Sequence, residues 1–509
     1  MDLMKWILPL LILVPFLSGL ILLIRPVENT HRRNTLVMTV CSLVSAGVLA
    51  LLLSRVLASG GGEVSGVADI GFFQILGADF FITLRVDGMS AVFLAIVAVL
   101  WPLTDLYAFE YMQHDHAQNR FFGLFTMTYG VVLGIAMAGN LFTMYLFYEL
   151  LTLATLPLVM HEMDGVAKHA GLKYLLYSMG GAALAFLSMM ILSRHGGLVF
   201  TPGGSLSPEL AYGKETLLCA GFLLGFFGFG VKAAVFPFHG WLPSAGVAPT
   251  PVTALLHAVA VVNAGIFAVL RLLYYGYGAS FLAGTFAQNV MLAVTAFTIV
   301  YGSMMALRMQ HLKRRLAYST VSNLSYMLLG AAFCSGAGFT AAILHMIAHS
   351  ALKIALFFCA GALLTRTEEL PGGVQEYVFQ YVGYAKKTPS IFRVFTIASI
   401  GLIGVPPLAG FTSKWAIAQA GMLQGSPLAV CGLAALAISA FLTGMYLLDL
   451  IVKGYFPPHD FDARGLEELT DCGWRMKSAL YATCLLGLLL IFFMPLLQNV
   501  LTAYGAGLI

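Results

Sequence analysis

Between Trp6 and the C-terminal end, one pattern recurs about fourteen times: a run of roughly 20 apolar residues, long enough to cross the hydrocarbon core of a bilayer. Such a chain must satisfy its backbone N–H and C=O groups internally, because lipid offers them no partners, and helices do this segment by segment. The runs centre near residues 15, 46, 98, 129, 150, 182, 226, 261, 298, 325, 352, 402, 438 and 487. Charge content agrees, since only 10% of the 509 residues are Asp, Glu, Lys or Arg, against about 25% in a soluble domain. The first run, Trp6–Ile24, is long enough to span, lacks a small-residue cleavage site and precedes Arg25, Arg32 and Arg33. It reads as a retained span rather than a secretory signal.

Lysine and arginine set the expected orientation. Eighteen fall in odd-numbered loops and six, including Arg271, on the even side, so the odd loops are assigned to the cytoplasm and both termini to the periplasmic or outer side. A net charge of +4, scattered along the chain, gives no footing for nucleic acid. The seven cysteines form no CxxC pair and mostly lie inside apolar runs, where they read as small core residues. No iron–sulfur, haem or disulfide framework is expected, and no cofactor in this chain.

Three lysines belong to neither loop set. Lys232, Lys353 and Lys414 fall inside apolar runs, where an ionised group costs at least roughly 2.5–3.5 kcal/mol. Glu149 likewise stands alone in LFTMYLFYELLTLATLPLV. Lone lysines can snorkel from helix ends, but several of them, with a carboxylate and histidines at similar depth, point to an ion path. Pro237 follows Lys232, and Pro406, Pro407 and Gly410 precede Lys414. Proline removes a helix hydrogen bond, so both spans are expected to break beside their lysines. Two broken spans about 180 residues apart suggest a duplication with two inverted halves of five spans each. The expected fold is therefore an all-α polytopic membrane protein of about 14 transmembrane helices with two inverted five-helix repeats containing broken helices. The expected divisions are residues 1–120 (spans 1–3), 121–275 (first repeat), 281–455 (second repeat) and 456–509 (a cytoplasmic loop and the last span).

His345, His349 and Lys353 recur at intervals of four, which stacks them on one helix face. An HxxxH pair can hold zinc, but no third ligand is evident and the HExxH base is missing, so a proton relay is expected and a metal is not. His257 is a lone histidine in an apolar span, either a satisfied core residue or a relay member. His239 reads as a residue at the membrane face able to serve proton access, and His114 and His116 as solvated loop residues. Asp449 and Lys453, four apart near a helix end, should pair with each other. Asp105 reads as interfacial or channel-lining.

At these residues the chain resembles the antiporter-like subunits shared by respiratory complex I, Mrp cation/proton antiporters and membrane-bound hydrogenases. The resemblance runs from RVDGMSAVFL at Arg85 to VPPLAGFTSKW at Trp415, with its core in FPFHGWLPSAGVAPTPVTALLHA (Phe236–Ala258) and LKRRLAYSTVSNLSYM (Leu312–Met327). It implies a row of charged groups at mid-membrane height. Glu149 matches the family's fifth-helix glutamate and Lys232 its seventh-helix lysine, a pair in which the carboxylate tunes the lysine's hold on its proton. His257 matches a bridging position on the eighth helix, His345 and His349 the histidines of the eleventh, and Lys414 the terminal lysine of the twelfth. Two departures stand out. Asn263 occupies a position where many relatives carry a second lysine. The usual DAHAEAPTP reads SAGVAPTP here, as in hydrogenase- and Mrp-like members. The chain also ends soon after its last span, without the lateral helix of complex I's most distal subunit.

The function implied is translocation of protons, or of Na⁺, by a subunit of a multi-subunit redox-driven complex; the alternative is a subunit of an Mrp-type Na⁺/H⁺ antiporter or another secondary transporter. The chain itself would hold no redox active site. Expected partners are homologous antiporter-like and small membrane subunits, a redox arm with iron–sulfur proteins, and the lipid of a prokaryotic inner membrane.

Overall fold

The computed structural model describes residues 2–57, 64–75, 78–368, 373–461 and 466–509, and the backbone alone for residues 2–5, 55–57, 64–75 and 78–80. Arg464, one of the charges counted for orientation, lies outside the described residues, as do the side chains of Lys5 and Arg55. The N-terminal part comprises α1 (Asp2–Ile24), α2 (Thr30–Leu57), β1 (Val64–Ile75), β2 (Ala78–Val86) and α3 (Gly88–Tyr111). Next come α4 (Gln118–Ala136), α5 (Leu141–Val159), α6 (Gly165–His195), α7 (Pro208–Ala211), α8 (Glu215–Gly230), α9 (Trp241–Ser244), α10 (Thr250–Ala258) and α11 (Val261–Arg271). The remainder is α12 (Ala279–Leu282), α13 (Phe286–Arg308), α14 (Leu312–Ala332), α15 (Gly336–Glu368), α16 (Pro389–Ile403), α17 (Ala409–Gln424), α18 (Pro427–Tyr455) and α19 (Trp474–Ala506).

Ten helical stretches among the described residues are long and apolar enough to cross a membrane, and α8 and α16 are shorter apolar helices. Short polar side chains start several of them. Asp87 accepts from Ser90 N at α3, Asn140 from Thr143 N at α5, and Asp164 from Ala167 N at α6. Each cap satisfies a donor that the first helical turn leaves open.

The layering is that of a membrane protein. The outer helices α1, α2, α18 and α19 present large apolar side chains outward, among them Leu10, Leu43, Phe441 and Phe492. The α10–α11 stretch and most of α15 are instead buried all round. The central helices hold the polar groups, and the outer ones wrap them in hydrocarbon.

One element departs from the all-α expectation. β1 and β2 form an antiparallel hairpin between α2 and α3, with Ser65 opposite Arg85 and Ile75 opposite Ala78. Counting apolar runs at a 20-residue scale passes over it, although Ile82, Leu84 and Val86 alternate with Thr83 and Arg85 at the two-residue period of a strand. The second strand continues into the α4–α5 junction. Gly139 N donates to Thr83 O (2.7 Å), Arg85 N to Met137 O (2.6 Å) and the Asn140 amide to Phe81 O (2.9 Å).

Two helices break where proline was expected to break them. α8 stops at Gly230, and residues 231–240 run without regular helix up to α9, with Lys232 inside the break. Its loops are pinned by Trp241, whose indole N–H donates to Val231 O at 2.7 Å. Gly265 of α11 packs directly on this segment; a Cβ there would lie 2.4 Å from Ala233 N. The second break separates α16 from α17. Gly404 turns the chain at φ +94°, which side chains other than glycine rarely adopt.

Candidate functional site

Glu149 sits on α5, half-buried, with its Oε1 buried and unbonded. Lys232 is fully buried beside it. Its ammonium donates to the backbone carbonyl of Tyr148 and lies 3.4 Å above the centre of the Tyr148 ring. Tyr148 in turn donates its hydroxyl to Phe229 O (2.8 Å), which ties α5 to the last turn of α8. Glu149 is the charged neighbour of Lys232, yet among the described residues no direct ion pair joins them.

A third break lies between α10 and α11, at Val259–Ala260. Asn263 spans it: its amide donates to Ala258 O (2.9 Å) and to the Ser350 hydroxyl on α15 (2.8 Å). Asn263 thus satisfies a carbonyl beside the break and fastens α11 to α15. His257, at the end of α10, is fully buried with both ring nitrogens unbonded, and its ring lies 4.9 Å from that of Phe357.

α15 carries the next three groups along one face. Lys353 is fully buried and donates to Leu316 O on α14 (2.9 Å). Both ring nitrogens of His349 are buried and unbonded, and its charged or titratable neighbours are Lys353, His345 and His257. The His345 and His349 rings lie 6.3 Å apart.

His345 is fully bonded: Nε2 to Asn323 Oδ1 (3.3 Å), and Nδ1 to the Ser413 hydroxyl (2.9 Å) on α17. Ser413 also reaches Gly410 O at 3.1 Å. With neutral His345, Ser413 donates to Nδ1. With a second ring proton, Nδ1 donates to Ser413, which turns its own hydrogen to Gly410 O. Both protonation states therefore find partners with no heavy-atom movement.

Lys414 closes the row. Its ammonium donates to Leu402 O (2.7 Å) and Ile403 O (2.9 Å), the last carbonyls of α16, where the helix dipole favours a cation. It also lies 5.4 Å from the centre of the Tyr326 ring. Gly410 allows this joint to close, since a Cβ there would meet Gly401 O at 2.0 Å. Below it, the Tyr326 hydroxyl joins Ser439, Ser303 and Ser322 in a buried cluster across α13, α14 and α18, with contacts of 2.5–2.9 Å.

The structure thus strings His257, His349, His345 and Lys414 across α10, α15 and α17, with Lys353 alongside and the Glu149/Lys232 neighbours on α5 and the α8 break. Asp105 is fully buried in α3 with Cys41 as its neighbour. His239 is buried, with the Tyr301 ring at 4.8 Å. Two charges assigned to loops are corrected. Lys313, counted as a loop charge, is buried and donates to Ala248 O (3.0 Å). Arg271 leaves the loop set too. It forms a buried two-pronged pair with Asp87, at 2.5 and 2.8 Å, and also donates to Ser90 (2.8 Å). Asp449 does bind Lys453 (2.8 Å), but Arg315 shares it (2.9 Å). Asp87 and Arg271 stand 184 residues apart, and no local spacing connects them.

Comparison with known proteins agrees with this architecture. Residues 138–443 match the family described as NADH:quinone oxidoreductase/Mrp antiporter, TM, and residues 72–122 match NADH-Ubiquinone oxidoreductase (complex I), chain 5 N-terminus. NADH-quinone oxidoreductase subunit N of Desulforudis audaxviator is 32% identical over 381 residues, which cover 74% of this chain and 73% of the relative. The fold is shared with a chain of the membrane-bound sulfane sulfur reductase, an archaeal respiratory membrane complex (TM-score 0.81, 22% identity, 98% and 97% of the two chains covered). It is also shared with a chain of the Mrp complex from Dietzia sp. (TM-score 0.77, 22% identity, 100% and 97% covered). The chain belongs to the NADH:quinone oxidoreductase/Mrp antiporter family of membrane subunits.

Proposed function

We propose that this chain moves protons across a prokaryotic inner membrane along Glu149, Lys232, His257, Lys353, His349, His345 and Lys414, as one subunit of a redox-driven complex. The observation that carries this reading is how the three lysines are bonded. Each gives its ammonium to backbone carbonyls, and none has a carboxylate salt-bridge partner among the described residues. Other buried charges are paired, as in Asp87–Arg271 and Arg315–Asp449, although Lys313 shares the carbonyl-only bonding of the three lysines. A buried ammonium held by neutral dipoles is suited to exchanging its proton, and the unbonded nitrogens of His257 and His349 have hydrogen-bonding capacity free for water to link the carriers.

In the proposed sequence, a change in the pairing of Glu149 alters how tightly Lys232 holds its proton. The proton passes by way of His257 and the α15 groups to Lys414, which releases it on the opposite side. His345 can receive and return a proton through the Ser413–Gly410 relay. The scheme sits in about fourteen spans that include two inverted five-helix repeats, with odd loops cytoplasmic and both termini outside. The driving energy comes from a partner's redox reaction through an arm with iron–sulfur proteins, and homologous subunits flank the chain. An Mrp-type antiporter without redox partners is the second reading, supported by the shared fold with a chain of the Mrp complex from Dietzia sp.. Subunits that co-purify with the native assembly separate the two.

The test is pH-gradient formation in vesicles holding the intact native assembly, wild type against Lys232→Ala. Loss of pumping by at least roughly tenfold, with normal assembly, is expected for a carrier on the path. Undiminished pumping by an intact Lys232→Ala assembly overturns the proposal.

A further inference from the structure

Two turns on one side of the molecule meet in a cluster that the proton row does not use. The α3–α4 turn supplies Asp115 and His116, and the α5–α6 turn supplies His161 and Glu162. His161 Nε2 lies 3.1 Å from both oxygens of Asp115. One donor atom each from Asp115, His161 and Glu162 lies within 4.8 Å of the other two, and His116 Nδ1 is 3.9 Å from Asp115 Oδ1.

We propose that Asp115, His161 and Glu162, completed by His116, form a binding site for a divalent transition-metal ion of the zinc class. Neighbouring ligands of a tetrahedral zinc, at about 2.0–2.1 Å from the metal, stand ~3.3 Å apart. The Asp115–His161 hydrogen bond of 3.1 Å holds the two groups near that separation, and a metal ion would displace the proton between them. His161 is fully buried, so its imidazole is held by packing, whereas Glu162 and His116 are exposed and free to close on an ion. Arg120 donates to the His161 carbonyl (2.5 Å) and fixes the backbone from behind. A mixed nitrogen and oxygen set without thiolate suits zinc over calcium or magnesium. Asp115 and His161 come from two turns 46 residues apart, so no local sequence spacing marks them.

Bound metal would cross-link the turns that lead into α4 and out of α5, the helix carrying Glu149. The experiment is isothermal titration of Zn²⁺ into the full-length chain in detergent, stripped with EDTA and dialysed. Wild type should bind about one equivalent. His161→Gln and Asp115→Asn should each bind at least ~10-fold more weakly, whereas His114→Gln, a neighbouring exposed histidine, should match wild type. Glu162→Gln alters only an exposed group and should also weaken binding, which guards against misfolding of the buried variants. No zinc binding by wild type, or equal affinity in wild type and Glu162→Gln, overturns the proposal.

Discussion

The same side-chain chemistry is used in two ways here. Arg271 and Asp87 bind face to face through two contacts, with Ser90 filling a third donor, and both residues are buried. Removing one partner strands the other, so Arg271→Leu should destabilise by about 3–5 kcal/mol, read as a lower unfolding midpoint in detergent. The double variant with Asp87→Leu should recover much of that loss. His311 and Glu376 make a milder pair, 3.4 Å apart with Glu376 44% exposed. The His311 hydrogen bond holds the Glu376 carboxyl below its ordinary range, against a smaller opposing effect of burial. A depressed carboxylate pKa stabilises above the unfolded value, near 4.3, and the contribution disappears as pH falls through the folded value. Thermal midpoints of wild type should therefore fall more between pH 6 and pH 3 than those of Glu376→Gln. Exposure keeps that difference small.

At the scale of elements, the breaks matter more than the regular helices. Pro237 and the Pro406–Pro407 pair were legible as breaks because proline's missing N–H and fixed φ act locally. The break between α10 and α11 was not legible. No proline marks it, and its support comes from Asn263 reaching Ser350 on another helix. The hairpin escaped for a related reason, since its pairing is set by contacts with the α4–α5 junction as much as by its own alternation. Gly265 offers a sharp test of how tightly the Lys232 break is built. A methyl group at that position meets backbone, which cannot swing aside. Gly265→Ala should cost about 1–3 kcal/mol by overpacking and lower the detergent midpoint. Gly444→Ala, with open space around its Cβ, should leave the midpoint unchanged.

For the whole molecule, the apolar runs carried the class of fold because lipid leaves a spanning chain so few options. The outward Leu and Phe of α1, α2, α18 and α19 follow directly from that. Which charges lie inside was only partly legible. Lys232, Lys353 and Lys414 stood out against apolar neighbours, whereas Lys313 and Arg271 sat at the ends of runs and passed for loop residues. Their burial depends on Ala248 and Asp87, contacts 65 and 184 residues away. A reading that goes run by run has no access to such distances.

The joint between α16 and α17 has a consequence for the barrier itself. Lys414 is the donor for two carbonyls that the broken helix no longer satisfies. Left bare in hydrocarbon, each costs several kcal/mol, so water must follow wherever the ammonium withdraws. The expected role of Lys414 is then that of a stopper as well as a proposed carrier, sealing the joint where the helix leaves carbonyls open. Shortening it should do more than halt pumping. Vesicles bearing Lys414→Ala in the intact assembly should lose an imposed pH gradient faster than wild type with no driving reaction present. A membrane equally tight in both would show that neighbouring side chains, not the lysine, hold the seal.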